Sequence, residues 1–160
     1  MAKTKHPIPP HLRSVTPNLT IKNAKEAMDF YVKAFGAEIV MSMSGPDGKL
    51  MHGEVKIGDS VIFIHDECEQ MDALGPSSRG GATGGLIIYS EDADAMFDRA
   101  VKAGCSVKMP VADQFWGDRY GCVADPFGHV WSVATHVEDL TPAEIESRRA
   151  VAMKEMAAAK

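Results

Sequence analysis

Residues 23–44 read NAKEAMDFYVKAFGAEIVMSMS, and this stretch determines which fold the chain can adopt. Five apolar residues recur at helical spacing: Ala24, Ala27, Met28, Tyr31 and Phe35. This spacing indicates an amphipathic helix, for which Asn23 is a plausible cap. Gly36 ends the helix, and the run from Ala37 to Ser44 predicts a β-strand.

Strands are predicted on both sides of this helix. A β-type run covers Arg13 to Ile21 before it, and further runs cover Leu50 to Ile57 and Ser60 to His65 after it. The turns between them are Gly45-Pro46-Asp47-Gly48 and Gly58-Asp59, whose residues are typical of tight turns. The predicted order is therefore β-α-β-β-β.

The second half of the chain repeats this order. Its predicted elements are a strand at Gly85 to Ser90, a helix at Asp92 to Ala103, and strands around Cys105 to Met109, Arg119 to Ala124 and His129 to His136. Gly36 and Gly104, the two helix stops, stand 68 residues apart. A duplicated unit is the simplest explanation of this periodicity.

The repeat divides the chain into five segments. They are an N-terminal arm (1–11), a first module (12–65), a linker (66–84), a second module (85–136) and a C-terminal helix (137–160). The linker is acidic at first and then rich in Gly and Ser, which favours a surface connection over a lid on a pocket. The last helix starts with the capping box Thr141-Pro142-Ala143-Glu144. Its thin apolar stripe predicts a position on the outer surface or against a second subunit.

Composition restricts the classes of partner. Of the 160 residues, 45% are hydrophobic and 24% charged, and no apolar run is long enough for a membrane span. The net charge of -5 disfavours nucleic acid, whose phosphates require clustered Lys and Arg. Cys68, Cys105 and Cys122 form no paired motif, which is typical of free thiols in a reducing compartment. We therefore expect a cytoplasmic protein with no membrane or nucleic-acid partner.

The motifs together resemble a known superfamily. Phe30-Tyr31 before Phe35-Gly36-Ala37, and the turn Asp125-Pro126-Phe127-Gly128-His129 before a strand, resemble the vicinal-oxygen-chelate superfamily. It includes glyoxalase I, extradiol dioxygenases, fosfomycin-resistance transferases and bleomycin-binding proteins. The runs 114–121 and 52–54 look most like its PhnB-like branch. The resemblance implies an α+β fold in which two βαβββ modules form an eight-stranded mixed-sheet cup with helices outside, and it implies a homodimer.

The same resemblance implies a divalent metal in the cup. Aligning the motifs places its four ligand positions at Thr16, Phe63, Gly85 and Ser132. None of these is a histidine or carboxylate, which zinc, iron and manganese prefer. We therefore expect no cofactor at this position. An alternative site remains open, because strand alternation places His52 and Glu54 on one side, where His65 could join them.

Aromatic residues indicate a ligand pocket. Phe115 and Trp116 lie in a predicted loop, where Trp116 offers a flat face and an N–H donor. Arg119 could anchor an anionic or carbonyl group, or pair with Asp118 or Asp113. We predict a ligand-binding set of Trp116, Phe115, Arg119, His52, Glu54, Phe63, His65 and Ser132.

Three functional hypotheses follow from the sequence. The first is a small-molecule-binding protein that sequesters a ligand or antibiotic without a metal, as bleomycin-resistance proteins do. The second is a metal-dependent lyase or dioxygenase that uses His52 and Glu54 as replacement ligands. The third is a structural or regulatory module with an empty pocket. The sequence contains no serine-histidine-acid order and no phosphate-binding glycine loop, so catalytic residues are not identified.

Overall fold

Eight strands in two sheets repeat the order β-α-β-β-β along the chain. The computed structural model describes residues 5–158. The first module contains β1 (Asn18–Ile21), α1 (Ala24–Phe35), β2 (Glu38–Ser44), β3 (Leu50–Ile57) and β4 (Ser60–Asp66). The second contains β5 (Gly85–Tyr89), α3 (Ala93–Ala103), β6 (Ser106–Asp113), β7 (Asp118–Ala124) and β8 (Val130–His136). Between them lies α2 (Pro76–Arg79), and after them α4 (Pro142–Ala158). The predicted α+β class is confirmed.

Each module forms one mixed sheet. Sheet 1 has the order β1-β4-β3-β2, and sheet 2 has the order β5-β8-β7-β6. In each sheet the first strand pairs in parallel with the last, while the other pairs are antiparallel. A parallel pair needs a long connection, and in each module the helix and the two strands after it form that connection. The two sheets have the same topology, as the sequence repeat predicts.

Several element ends differ from the sequence-based prediction. The first strand starts at Asn18 and not at Arg13, although the Pro17 carbonyl still accepts a hydrogen bond from Phe63 N. Asn23 adopts a left-handed conformation and its side chain caps nothing, so its predicted capping role is wrong. Asp66 replaces it, because its Oδ1 accepts from the first helical amide, Ala24 N, at 3.0 Å. This contact connects the end of β4 to the start of α1.

The linker between the modules is structured. It contains a single 3-10 turn at Glu69–Met71 and the short helix α2. Glu67 accepts hydrogen bonds from Gly75 N and Ser78 Oγ, and Ser77 Oγ donates to the Phe127 carbonyl at 2.7 Å. The segment is thus a hydrogen-bonded connection that contacts the second module.

A single hydrophobic core is shared by both modules. It includes Ile64 of sheet 1, Trp131 of sheet 2, and residues of α1 and α3, which pack against each other. Gly53 and Gly121 face this core: a Cβ at Gly53 would lie 2.7 Å from the Met28 sulfur, and one at Gly121 would lie 2.9 Å from the Phe97 ring. A larger residue at either position would have to displace these side chains, so glycine favours the close approach of the helices to the sheets here.

Asp125 joins the two modules at the centre of this core. Its Oδ2 accepts from Tyr31 Oη of α1 at 2.7 Å and from Trp131 Nε1 of β8 at 2.9 Å. Its Oδ1 accepts from the amides of Phe127 and His129 in the turn before β8. Four donors satisfy this buried carboxylate, as a buried charge requires. Burial, followed by the nearby charge of Asp125, raises the pKa of Tyr31 well above its ordinary value.

The C-terminal helix lies at the surface of the part of the chain that the structure describes. Thr141 and Glu144 form the predicted capping box, in which Thr141 N donates to Glu144 Oε2 at 2.8 Å and Glu144 N donates to Thr141 Oγ1 at 3.3 Å. None of the residues of α4 is buried. Across residues 5–158, no helix is both long and apolar enough to cross a membrane.

Tyr31→Phe tests the bridge between the modules. Removing the hydroxyl leaves one lone pair of buried Asp125 without its donor, which costs about 1–3 kcal/mol of unfolding free energy. Urea unfolding of the variant measures this loss. Ser60→Ala is the matched control, because the Ser60 hydroxyl also donates to a carboxylate, that of Asp59, but this pair is exposed to solvent. An equal loss in both variants would contradict the bridging role.

Candidate functional site

Each sheet has one face without a helix. Because Gly53 and Gly121 face the core, strand alternation turns their neighbours Glu54 and Tyr120 to the other side. We call these sides the open face of sheet 1 and the open face of sheet 2. The helix-covered faces share one core, so the two open faces lie on opposite sides of it. Most of the predicted ligand-binding residues lie on these faces or at their edges.

A buried carboxylate organises the open face of sheet 2. Asp118 is 5% exposed, and its Oδ2 accepts from Tyr89 Oη at 2.8 Å and from Trp116 Nε1 at 3.0 Å. Its Oδ1 lies 2.8 Å from His136 Nδ1, and His136 Nε2 in turn lies 3.0 Å from Asp139. Asp118 thereby holds a phenol, an indole and an imidazole from β5, the β6–β7 turn and β8.

Aromatic rings extend this cluster. The Trp116 ring meets the Phe115 ring edge-on at 5.0 Å and the Tyr120 ring at 5.7 Å between centroids. The Tyr120 hydroxyl is hydrogen-bonded to Ser132 Oγ in β8. The predicted residues Phe115, Trp116 and Ser132 are thus brought together. Aromatic walls around a few fixed polar groups are typical of small-molecule sites.

The charges of this cluster are coupled. Hydrogen bonding to Asp118, and then to Asp139, raises the pKa of His136. Burial on its own would raise the pKa of Asp118, but hydrogen bonds from His136, Tyr89 and Trp116 outweigh it and lower that pKa. The hydrogen bond to Asp118 also raises the pKa of Tyr89. Asp118 is therefore held as a carboxylate, and the Tyr89 phenol keeps its proton.

The open face of sheet 1 carries a second buried carboxylate. Glu54 is 6% exposed, and its Oε1 lies 3.1 Å from His52 Nε2, as their shared side of β3 predicted. The His52 ring meets the Phe63 ring edge-on at 4.8 Å. Met41 and Met43 of β2 lie opposite Glu54 and His52 in the strand register. A polar pair thus lies within an apolar surface.

The other oxygen of Glu54 lacks a hydrogen bond. Its Oε2 is buried without a donor, although His11 Nε2 lies 3.3 Å away as an ion-pair neighbour. At that position the imidazole satisfies the distance for an ion pair but makes no hydrogen bond to the oxygen. Part of the predicted N-terminal arm therefore lies beside the open face of sheet 1.

Two predicted ligand residues are engaged elsewhere. Arg119 donates to Asp94 of α3 and to Asp113, which places it against the helix of its module and away from the open face. The expected alternative partner Asp118 is not among its contacts. His65 bonds to Thr20 Oγ1 at 3.2 Å and to the Asp66 carbonyl at 2.9 Å, so it does not join His52 and Glu54.

The four superfamily ligand positions offer few donors to a metal. Thr16 Oγ1 donates to the Arg13 carbonyl, Phe63 has no donor atom, Gly85 opens β5, and Ser132 bonds to Tyr120. Hydroxyls that already have partners are poor ligands for zinc or iron. Within residues 5–158, no three His, Cys, Asp or Glu side chains are grouped so that they could hold a metal ion. The residues present therefore do not fit the superfamily metal.

Two clefts lie outside the open faces. One of about 620 Å³ runs between β1, the linker and the start of β5. The other, of about 1390 Å³, lies between the start of α1, the β2–β3 turn and the linker. Of the predicted ligand residues only His65 borders either cleft. The predicted aromatic residues border neither of these two clefts.

The prediction missed several members of the sheet 2 cluster. Asp118, Tyr120 and Tyr89 were not proposed as ligand residues, and His136 was not included in the set. Strand alternation along β7 is a signal that identifies Asp118 and Tyr120. Both lie on the same side of the strand as Cys122, which is the register partner of Ser132. Tyr89 could not be found in this way, because its contact with β7 crosses the intervening strand β8.

The fold and these faces define the class of protein. Residues 10–133 match the family model of the Glyoxalase/Bleomycin resistance protein/Dioxygenase superfamily. This chain belongs to that superfamily, which confirms the resemblance seen in the sequence.

Individual relatives support this assignment. The Mycobacterium bovis protein Mb0911c is 41% identical over 137 residues, which cover 84% of this chain and 90% of that protein. Among solved structures, TioX from Micromonospora sp. ML1 superposes with a TM-score of 0.62 at 24% identity, covering 78% of this chain and 99% of TioX. TnmS3, an antibiotic-binding protein from Streptomyces sp. CB03234, gives 0.57 at 22% identity, covering 78% and 97%. At such identities the two structures support the fold alone.

The His136 imidazole provides a test of the sheet 2 cluster. Because its folded pKa is raised, its stabilising effect is fully present below the unfolded pKa of about 6.5 and is lost as pH rises through the folded value. NMR titration should show the elevated pKa, and Asp118→Asn should return it toward its ordinary value. Asp139→Asn should lower it less, since Asp118 contributes most. An unchanged His136 pKa in Asp118→Asn would contradict the coupling.

Proposed function

We propose that this protein binds a small organic molecule between two protomers and holds it without transforming it. The observation that carries the proposal is the placement of the two open faces on opposite sides of one core. Sheets 1 and 2 of one chain cannot enclose a ligand between these faces. A homodimer in which sheet 1 of one protomer faces sheet 2 of its partner would form the expected cup twice.

Exposed apolar side chains on the open faces support this arrangement. Ile87 and Tyr89 of β5 are 58% and 63% exposed, and Met41 and Met43 of β2 are 48% and 50% exposed. Apolar surface of this kind in a sheet face favours burial against a partner or ligand. A second copy brings each of these groups opposite the other open face.

The residues at the four superfamily ligand positions favour binding without catalysis. The superfamily ligand positions present a hydroxyl, a phenyl, a glycine and a second hydroxyl, so the metal that polarises substrates in metal-dependent relatives lacks its ligands. The Asp118 cluster instead supplies aromatic surfaces held by hydrogen bonds. TnmS3 is an antibiotic-binding protein of the same fold. We extend that class of ligand, an aromatic antibiotic or metabolite, to this chain. Its three free cysteines suit a reducing compartment, the cytoplasm.

Ile87→Lys tests the dimer. The substitution puts a charge on the open face of sheet 2 without disturbing the core, because the wild-type side chain is mostly exposed. Light scattering should give twice the chain mass of 17.3 kDa for the wild type and the chain mass itself for the variant. Met71→Lys, an exposed methionine of the linker, should remain dimeric. A monomeric wild type would contradict the composite site.

Trp116→Phe tests the ligand site. We expect a panel of aromatic antibiotics and metabolites to contain a compound that changes the tryptophan fluorescence of the wild type. The change should disappear in Trp116→Phe, because the remaining Trp131 is fully buried in the core.

Two outcomes would oppose the binding proposal. If no compound of the panel changes the tryptophan fluorescence of the wild type or of Trp116→Phe, the result would favour a structural module with an empty pocket. Stoichiometric zinc, nickel, manganese or iron in protein purified without chelators, lost in His52→Ala, would favour the lyase or dioxygenase hypothesis.

A further inference from the structure

One carboxylate oxygen of Glu54 accepts no hydrogen bond from the described residues. Its carboxylate is 6% exposed, its Oε1 is bonded to His52, and its Oε2 is buried without a hydrogen-bond donor. A buried acceptor that has lost water and gained no donor is unfavourable, and such groups are rare in folded proteins. Asp118, the corresponding carboxylate of sheet 2, has a partner for each of its oxygens. Glu54 therefore differs in having a place for a donor from outside the chain.

The surroundings of this oxygen are apolar and adaptable. Met41 and Met43 lie opposite Glu54 and His52 on β2, and both are about half exposed. Phe63 adds an aromatic ring beside His52. Methionine side chains are flexible and polarisable, so they can adjust to ligands of different shape. The open face of sheet 1 thus combines an apolar surface with one charged acceptor.

The other charged residues on the open face of sheet 1 do not neutralise the charge of Glu54. Glu38 and Lys56 are direct cross-strand neighbours of opposite sign, so their fields largely offset each other. His65 bonds to Thr20 and to a backbone carbonyl. With its neighbours His11 and His52 counted as neutral, as in the chain's net charge of -5, Glu54 presents a negative charge to an approaching ligand.

We propose that Glu54 Oε2 binds the ammonium group of the ligand, and that the ligand class is a protonated primary or secondary amine on an aromatic body. An ammonium supplies both the missing donor and the opposite charge, and hydrogen bonds between charged partners are stronger than neutral ones. A carboxylate on the ligand would be repelled. This inference deepens the proposed function and rests on it.

His11 occupies the position that the amine would take. Its Nε2 lies 3.3 Å from Glu54 Oε2, and its side chain is about half exposed. It belongs to residues 5–17, which form no helix or strand. The imidazole can therefore leave the carboxylate without breaking sheet hydrogen bonds, and a ligand can replace it.

The experiment compares three probes of similar shape on the full-length chain. Protein with ¹³C-labelled methionine methyl groups is titrated with 2-phenylethylamine, 2-phenylethanol and phenylacetate. We expect saturable shifts of the Met41 and Met43 methyl signals with the amine, at an affinity about tenfold or more above that for the alcohol. Phenylacetate should bind more weakly than the alcohol.

Glu54→Gln removes the charge and keeps the shape. It should abolish the preference for the amine over the alcohol, while Glu38→Gln, an exposed carboxylate on the same face, should retain it. The thermal midpoint and amide spectrum of each variant report its folding. The comparison of amine with alcohol on the wild type tests the inference even where Glu54→Gln does not fold.

The outcomes separate this inference from the function on which it rests. Equal affinity for amine and alcohol, with Met41 and Met43 shifting in both titrations, would overturn the amine class and leave the binding function standing. Preference for the amine that survives in Glu54→Gln would overturn the role of Glu54. If none of the three probes shifts the Met41 and Met43 methyl signals, the inference is overturned. The tryptophan fluorescence titration tests the binding function separately.

Discussion

The Asp125 carboxylate is the contact on which the arrangement of the two modules depends. It accepts hydrogen bonds from Tyr31 in the first module and Trp131 in the second, and from two amides of its own turn. A charge at this depth is tolerated only with all donors in place. The geometry of these donors fixes α1 against the helix-covered face of sheet 2. Because both helices occupy the space between the sheets, the open faces are directed away from the shared core.

This arrangement places hydrogen-bonded polar groups on the open face of each sheet. Each open face contains a buried carboxylate among aromatic or apolar residues, Asp118 on sheet 2 and Glu54 on sheet 1. Asp118 serves to position three rings, because every one of its oxygens already has donors. Glu54 has one oxygen left for a ligand. The two faces are thus chemically different halves of the site that a dimer would assemble.

Membership in the superfamily defines the fold of this chain, but it does not define the chemistry of its open faces. At the four positions that the sequence resemblance aligns with metal ligands this chain has Thr16, Phe63, Gly85 and Ser132, while its two sheets show the repeated β-α-β-β-β topology. None of these four residues belongs to the shared hydrophobic core. Residues of the open faces can therefore differ between proteins of this fold without repacking the core, which is how one fold supports many functions.

The sequence by itself determined the duplicated β-α-β-β-β order, most element positions and the side of β3 that carries His52 and Glu54. These features follow from local periodicity, glycine stops and strand alternation, which a linear pattern encodes. Tertiary structure alone decided the contacts between distant segments. Asp66 caps α1 in place of Asn23, Arg119 pairs with α3, Tyr89 reaches Asp118 across an intervening strand, and His11 lies beside Glu54. Each of these contacts depends on how the helices and strands are placed relative to one another. The packing of the shared core fixes that placement, and the spacing of residues along the sequence does not reveal it.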